Sequence, residues 1–311
     1  MWKRLQKKGV VAPRVAVQLA LRLIDPSRVD DRRHRRLHRR AYVNPGPNFS
    51  WHIDGYDKLK PFGFAIHGAI DGYSRKVLWL EVGTSNNDPY ITALYFVRTL
   101  RSLEKVPCLL RCDRGTENVH IERIQKHLRA SGDDTFAGEN SFVYGKSTGN
   151  QRIEAWWAVL RRQCTSYWIN MFKDMQQFGL INTGDPIHIQ CLRFCFMGLI
   201  NDDLKRVARE WNTHHMLVKK GQEGPGGIPD MLYFVPQQFE ASDFSAKYED
   251  AEVAQLETEV EENVGASGTL DPRFIEVADI LVPNWTPPTD VKEAQDLYVD
   301  VLSKINNFEG N

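Results

Sequence analysis

Residues 49–71 read FSWHIDGYDKLKPFGFAIHGAID, and the way this stretch folds decides the rest. Phe49, Trp51 and Ile53 alternate with polar neighbours, as one face of a half-buried strand does. The run 62–70 is again strand-like, and after the turn DGYS a third apolar run, KVLWLEV, occupies 76–82. Strands this closely spaced predict a three-stranded meander. Asp54 breaks the pattern, on the face opposite Trp51 and Ile53.

Downstream the period changes. From Asp88 to Leu103, Ile91, Leu94, Tyr95, Val97, Leu100 and Leu103 recur at helical intervals. CLLRC at 108–112 is too short for a helix and reads as a buried strand, 117–128 is helical again, and SFVY at 141–144 is a short strand before the loop GKSTG. A helix then runs from about Asn150 to Phe172, with an apolar stripe of Ile153, Trp157, Leu160, Cys164 and Trp168. An antiparallel start followed by alternating helices and strands predicts an α/β fold, a mixed five-stranded sheet with flanking helices.

Four regions follow from composition and spacing. Residues 1–45 are a helical, arginine-rich arm; 46–240 hold the sheet and a helical part ending near EWNTHH; 241–267 are an acidic linker expected to lack regular structure. Residues 268–311 form a helical or irregular extension with one amphipathic helix through Val291, Ala294, Leu297, Val301 and Ile305. The formal net charge of zero hides a polarity between these regions. Residues 28–40 contain seven arginines and two histidines against two acids, whereas 240–262 contain nine acids against one lysine. The front of the chain suits a polyanion, and Arg32, Arg33, Arg35, Arg36, Arg39 and Arg40 are its candidate contacts. The same run fits a nuclear localisation signal.

Other classes are disfavoured. Five cysteines in 311 residues are too few for a disulfide scaffold, and neither Cys108/Cys112 nor Cys191/Cys195 has the spacing of a zinc knuckle, so all read as small core residues. MWKRLQKKGVV lacks the apolar centre of a secretory signal, and no apolar run approaches a membrane span. YGKS at 144–147 resembles a phosphate-binding loop, but its required glycine falls on Asn140. The acid-free residues 1–24 fit a mitochondrial presequence less well than a DNA-binding helix, because the basic run follows directly.

Three acids stand where such a sheet would build a site. Asp54 lies in the first strand, Asp113 ends the fourth, and Glu154 sits near the start of the last core helix. Carboxylates brought together repel unless a divalent cation neutralises them. Magnesium or manganese, two ions roughly 3.5–4 Å apart, would serve both the attacking and the leaving oxygen of phosphoryl transfer. The acids and the arginines therefore point to one substrate, a phosphodiester. Asp57 and Asp71 border turns and read as structural; Glu117 reads as a helix cap with a supporting role near Asp113.

WHID at 51–54, RCDRGTEN at 111–118 and GNQRIEAWWAVLRR at 149–162 resemble the three acidic motifs of the DDE integrase core of retroviral and retrotransposon integrases. The intervals fit, 59 positions from Asp54 to Asp113 and 41 from there to Glu154. The similarity spans roughly residues 1–240 and includes PGPN, IDGYSR and NQRIE, as in cellular integrase core domain-containing proteins. It implies a ribonuclease H-like fold, two metal ions held by Asp54, Asp113 and Glu154, DNA as partner, and a homo-oligomer. It also implies DNA contacts by Lys146, Asn150, Gln151, Arg152, Arg161 and Arg162, and metal-dependent cleavage and strand transfer in the nucleus. Arg114 departs from the asparagine frequent after the second aspartate, and the retroviral zinc-binding N-terminal domain is absent. The alternatives are a nuclease of the same fold and a domesticated DNA-binding protein that keeps the fold without the reaction.

Overall fold

A computed structural model describes residues 2–6, 9–26, 44–145, 150–217, 224–264 and 270–309. The chain divides into two compact units, 1–43 and 44–311. In the first, α1 (Trp2–Gln6) is followed by α2 (Arg14–Ile24), and the Trp2 indole donates to the Ala12 carbonyl at 2.9 Å. The arginines at 32–40 lie outside the described residues.

The second unit is built on β1 (Ser50–Tyr56), β2 (Ala65–Asp71), β3 (Val77–Gly83), β4 (Leu109–Asp113) and β5 (Phe142–Gly145). Their order is β3-β2-β1-β4-β5, with β1 antiparallel to β2 and parallel to β4. This is the ribonuclease H-like mixed sheet: residues 57–64, with a 3-10 turn at Lys60–Phe62, and the short turn 72–76 join the antiparallel half, and helical crossovers join the parallel half. The alternation in WHID sorts the two faces. Trp51 and Ile53 enter one core with α3 (Pro89–Leu103) and α4 (Val119–Leu128). The other face carries α5 (Gln151–Leu160), a π turn over Arg161–Thr165, α6 (Ser166–Gln177) and the long α7 (Pro186–Thr213). All five cysteines are free and buried, as read from their spacing.

Two expectations for the C-terminal third are corrected. After the short α8 (Pro229–Phe234), the supposed linker contains α9 (Asp250–Val264), docked beside α3. Val253, Leu256, Val260 and Val264 recur at helical spacing and pack into the core, beneath the acids that dominate the composition. Those acids meet Arg98 (Glu261, 2.7 Å), Arg101 (Glu257, 2.8 Å) and Arg123 (Glu259, 2.6 Å). Exposed pairs of this kind contribute about 0–1 kcal/mol each, so the buried valines hold the helix. Val260→Asp is expected to cost about 3 kcal/mol or more in urea denaturation and to open 250–264 to proteolysis; Arg123→Ala is expected to cost under about 1 kcal/mol. The extension also holds two helices where one was expected: α10 (Pro272–Leu281) and α11 (Val291–Glu309). α11 buries Tyr298 as well as Ala294, Val301 and Ile305, and the Tyr298 hydroxyl donates to the Leu180 carbonyl at 3.0 Å. Among the described residues, no helix is long and apolar enough to cross a membrane.

Candidate active site

Asp54 sits opposite Gly68 in the β1–β2 register. A Cβ on Gly68 would come within 2.9 Å of Trp157 Cη2 and 3.3 Å of Leu80 Cδ1, so the glycine lets the Trp157 ring of α5 lie against the sheet. From there the indole Nε1 donates to Asp54 Oδ2 at 2.8 Å. Burial pushes the Asp54 carboxyl up to about 6; the indole N–H opposes the shift, and the negative charges of Glu154 and Asp113 add to it. Gly68→Ala is expected to displace Trp157, cost about 1–3 kcal/mol in thermal unfolding, and change the indole fluorescence as the bond to Asp54 is lost.

Asp113 ends β4, the parallel neighbour of β1. Its Oδ1 is buried without a hydrogen-bond partner, and burial raises its pKa. Glu154 lies in the first turn of α5 and is exposed. The acids from β1 and β4 and the one from α5 are thus close enough for the last two to act on the first. Among the described residues, no three His, Cys, Asp or Glu side chains are grouped tightly enough to hold an ion. The donor chemistry nevertheless fits a hard divalent cation: oxygen ligands only, one of them an orphaned buried carboxylate oxygen, around a carboxyl that its neighbours resist ionising.

The start of α5 is tied to β1. Asn150 Nδ2 donates to the Ile53 carbonyl at 2.9 Å, and its Oδ1 meets His52 Nδ1 at 2.8 Å. Burial drives His52 down to about 3, so the ring is neutral and Nδ1–H is the donor. Asn150 is fully buried, which removes it from the expected DNA contacts and makes it a positioning residue. Gln151, Arg161 and Arg162 are exposed, and Arg152 is half-buried. Lys146 lies outside the described residues.

Trp156 and Trp157 belong to the core, but the sequence reading missed the bond from Trp157 to Asp54; the signal was a tryptophan one helical turn after Glu154. Asp71 has the structural role expected of it. It accepts from the Asn48, Tyr73 and Ser74 backbone N–H groups and the Ser74 hydroxyl, at 2.7–3.1 Å. Asp57 accepts from Asn86 Nδ2 at 2.8 Å. Glu117 follows Gly115 in the turn after β4, and its Oε1 accepts from Asn118 Nδ2 at 3.1 Å.

A family model described as integrase core domain matches residues 41–229, which include all five strands and α5. No curated protein matches the chain.

Proposed function

We propose that this chain, which belongs to the integrase core domain family, is a DDE-type polynucleotidyl transferase that cleaves DNA and joins the freed 3′ end to a second phosphodiester. The observation that carries the reading is the electrostatic grouping of Asp54 with Asp113 and Glu154, together with the unpartnered Asp113 Oδ1. Asp54, Asp113 and Glu154 are the residues that would hold Mg²⁺ or Mn²⁺. When bound, a pair of such ions supplies the charge that stabilises the attacking and leaving oxygens.

The chain's own residues do the rest. Asp54 sheds its proton before it can act as a ligand, and Trp157 keeps its carboxylate oriented through the bond to Oδ2. Asn150 and His52 fix the start of α5, and so the height of Glu154 above the sheet. Gln151, Arg161 and Arg162 are exposed on that helix and its π turn, where they would meet backbone phosphates; the arginines at 32–40 and Lys146 would supply phosphate contacts of their own. The arginine run would direct the protein to the nucleus, and a homo-oligomer would bring two DNA ends together.

Nicking and strand-transfer assays with Mg²⁺ or Mn²⁺ test the reading. Water-only cleavage would make the protein a nuclease of the same fold, and DNA binding with neither reaction would make it a DNA-binding protein that has lost catalysis. Arg161→Ala/Arg162→Ala is expected to lower the slope of log K against log salt by about 2, read by fluorescence anisotropy on duplex DNA. An unchanged slope would remove both residues from the interface.

A further inference from the structure

The sheet face that carries the carboxylates also carries a cation that none of them pairs. Strand alternation puts Arg111 on the same side of β4 as Asp113, while Leu110 and Cys112 enter the opposite core. In register it lies between His52 of β1 and Val143 of β5. Burial first, and then, against the Asn150 bond, the positive charges of Arg111 and Arg152 hold the His52 ring neutral. The Arg111 guanidinium is therefore on the α5 face, where His52 meets Asn150. It reaches forward beside β5: a Cβ built on Gly145, the register partner of Asp113, would lie 3.5 Å from Arg111 Nη1. Since β4 separates β1 from β5, Asp113 stands between Asp54 on one side and this fork on the other.

Arg111 and Asp113 are two residues apart on one face, yet they do not meet. Asp113 Oδ1 is orphaned, and its carboxyl is raised by burial with no lowering from Arg111. Nor does Arg111 offset the acids that act on Asp54. Among the described residues, no hydrogen bond or ion pair holds the Arg111 guanidinium, which is only half-buried. Withdrawing a charge from water without a partner is costly, so a strand position is a poor place for this arginine unless an anion comes to it. The planar fork matches the oxygens of a phosphate.

We propose that Arg111 anchors a backbone phosphate of bound nucleic acid beside the carboxylate site. The inference rests on the reading of the chain as a nucleic-acid enzyme; Arg111 lies within RCDRGTEN but is neither one of the three acids nor one of the expected DNA contacts. From β1 to β5 is two strand spacings, about 10 Å, or about three stacked nucleotides at about 3.4 Å each. The fork is thus too far from Asp54 to hold the phosphate under attack. It takes a neighbour of that phosphate and fixes the direction in which the strand crosses the sheet, from β1 towards β5.

The test uses the full chain in EDTA, so that neither metal nor catalysis contributes. Arg111→Gln is expected to melt within about 2 °C of the wild type by scanning fluorimetry, because the lost guanidinium had no partner. On duplex DNA it is expected to bind roughly tenfold more weakly, with a salt slope lower by about 0.9. Arg111→Lys keeps the charge without the fork and is expected to restore the slope. A much lower melting temperature in both variants would show that the guanidinium holds the fold together, which overturns the proposal. So does an unchanged slope in Arg111→Gln when Arg161→Ala/Arg162→Ala lowers it, a result that leaves the functional reading standing. Inorganic phosphate that raises the melting temperature of the wild type and not of Arg111→Gln, with the DNA slope unchanged, marks a free-phosphate site and overturns the nucleic-acid assignment. Failure of the wild type to bind DNA at all sinks the functional reading itself.

Discussion

Asp54→Asn is expected to raise the stability of the metal-free protein at pH 7 while removing nicking and strand transfer. The Asp54 carboxyl, normally near 3.8, is pushed up to about 6, chiefly by burial and then by Glu154 and Asp113. A folded-state value above the unfolded one means that the folded protein holds the proton more tightly, so stability is greatest at low pH and falls as pH rises from about 4 to about 6. At 1.36 kcal/mol per pH unit the neutral variant gains at most about 3 kcal/mol at pH 7, and the gain vanishes as pH falls through that window. The amide still offers an oxygen to Trp157 but is a poor ligand for a hard cation. Activity is expected to fall roughly 10³-fold or more, and Mg²⁺ is expected to stabilise the wild type and not the variant. Urea denaturation at pH 4 and pH 7, with and without Mg²⁺, reads the stability effects, and nicking and strand-transfer assays read the loss of activity. A variant less stable than the wild type at pH 7 without metal would show that Asp54 is not held against its charge.

Asp71 carries a similar shift and is expected to respond in the opposite sense. Burial raises it to about 6 despite the groups that donate to it. Oδ1 takes the Asn48 N–H; Oδ2 takes the Tyr73 N–H, the Ser74 N–H and the Ser74 hydroxyl. An asparagine must turn its amide towards one of these sets of donors, and an alanine leaves both unsatisfied. Asp71→Asn and Asp71→Ala are each expected to cost about 3–5 kcal/mol, measured by thermal or urea unfolding at pH 7. The cost persists below pH 6, because a carboxyl that has gained a proton still offers more acceptor capacity than either replacement. A loss under about 1 kcal/mol would mean that the turn holds without it. The two aspartates thus separate a carboxylate surrounded by acids from one surrounded by donors, although both titrate near the same pH.

The strand pattern of the first half was legible because each face of β1 and β2 meets a different partner, and alternation encodes that choice directly. The three acids were legible as candidates from their positions in strands and helix. What escaped were properties that depend on contact between distant segments. Nothing near Trp157 says that Gly68, on another strand, makes room for its ring, and nothing in GNQRIE says that Asn150 turns inward to His52. The acidic stretch misled because its composition favours disorder, while four apolar residues at helical spacing were enough to dock it against α3.

One helix has a rhythm that ordinary α-geometry cannot sustain. Trp156, Leu160, Cys164, Trp168 and Phe172 are all buried and recur at every fourth position. In a regular α-helix each such step drifts by about 40°, or about 160° over the four steps, which would carry Phe172 round to solvent. The π turn at Arg161–Thr165 takes up much of that drift by admitting an extra residue. It therefore works as a phase corrector: the half of the helix that carries Glu154 is clocked to the sheet, and the half that carries Trp168 and Phe172 is clocked to α7. The end that carries Glu154 can be oriented over the sheet without unpacking the end that anchors the helix.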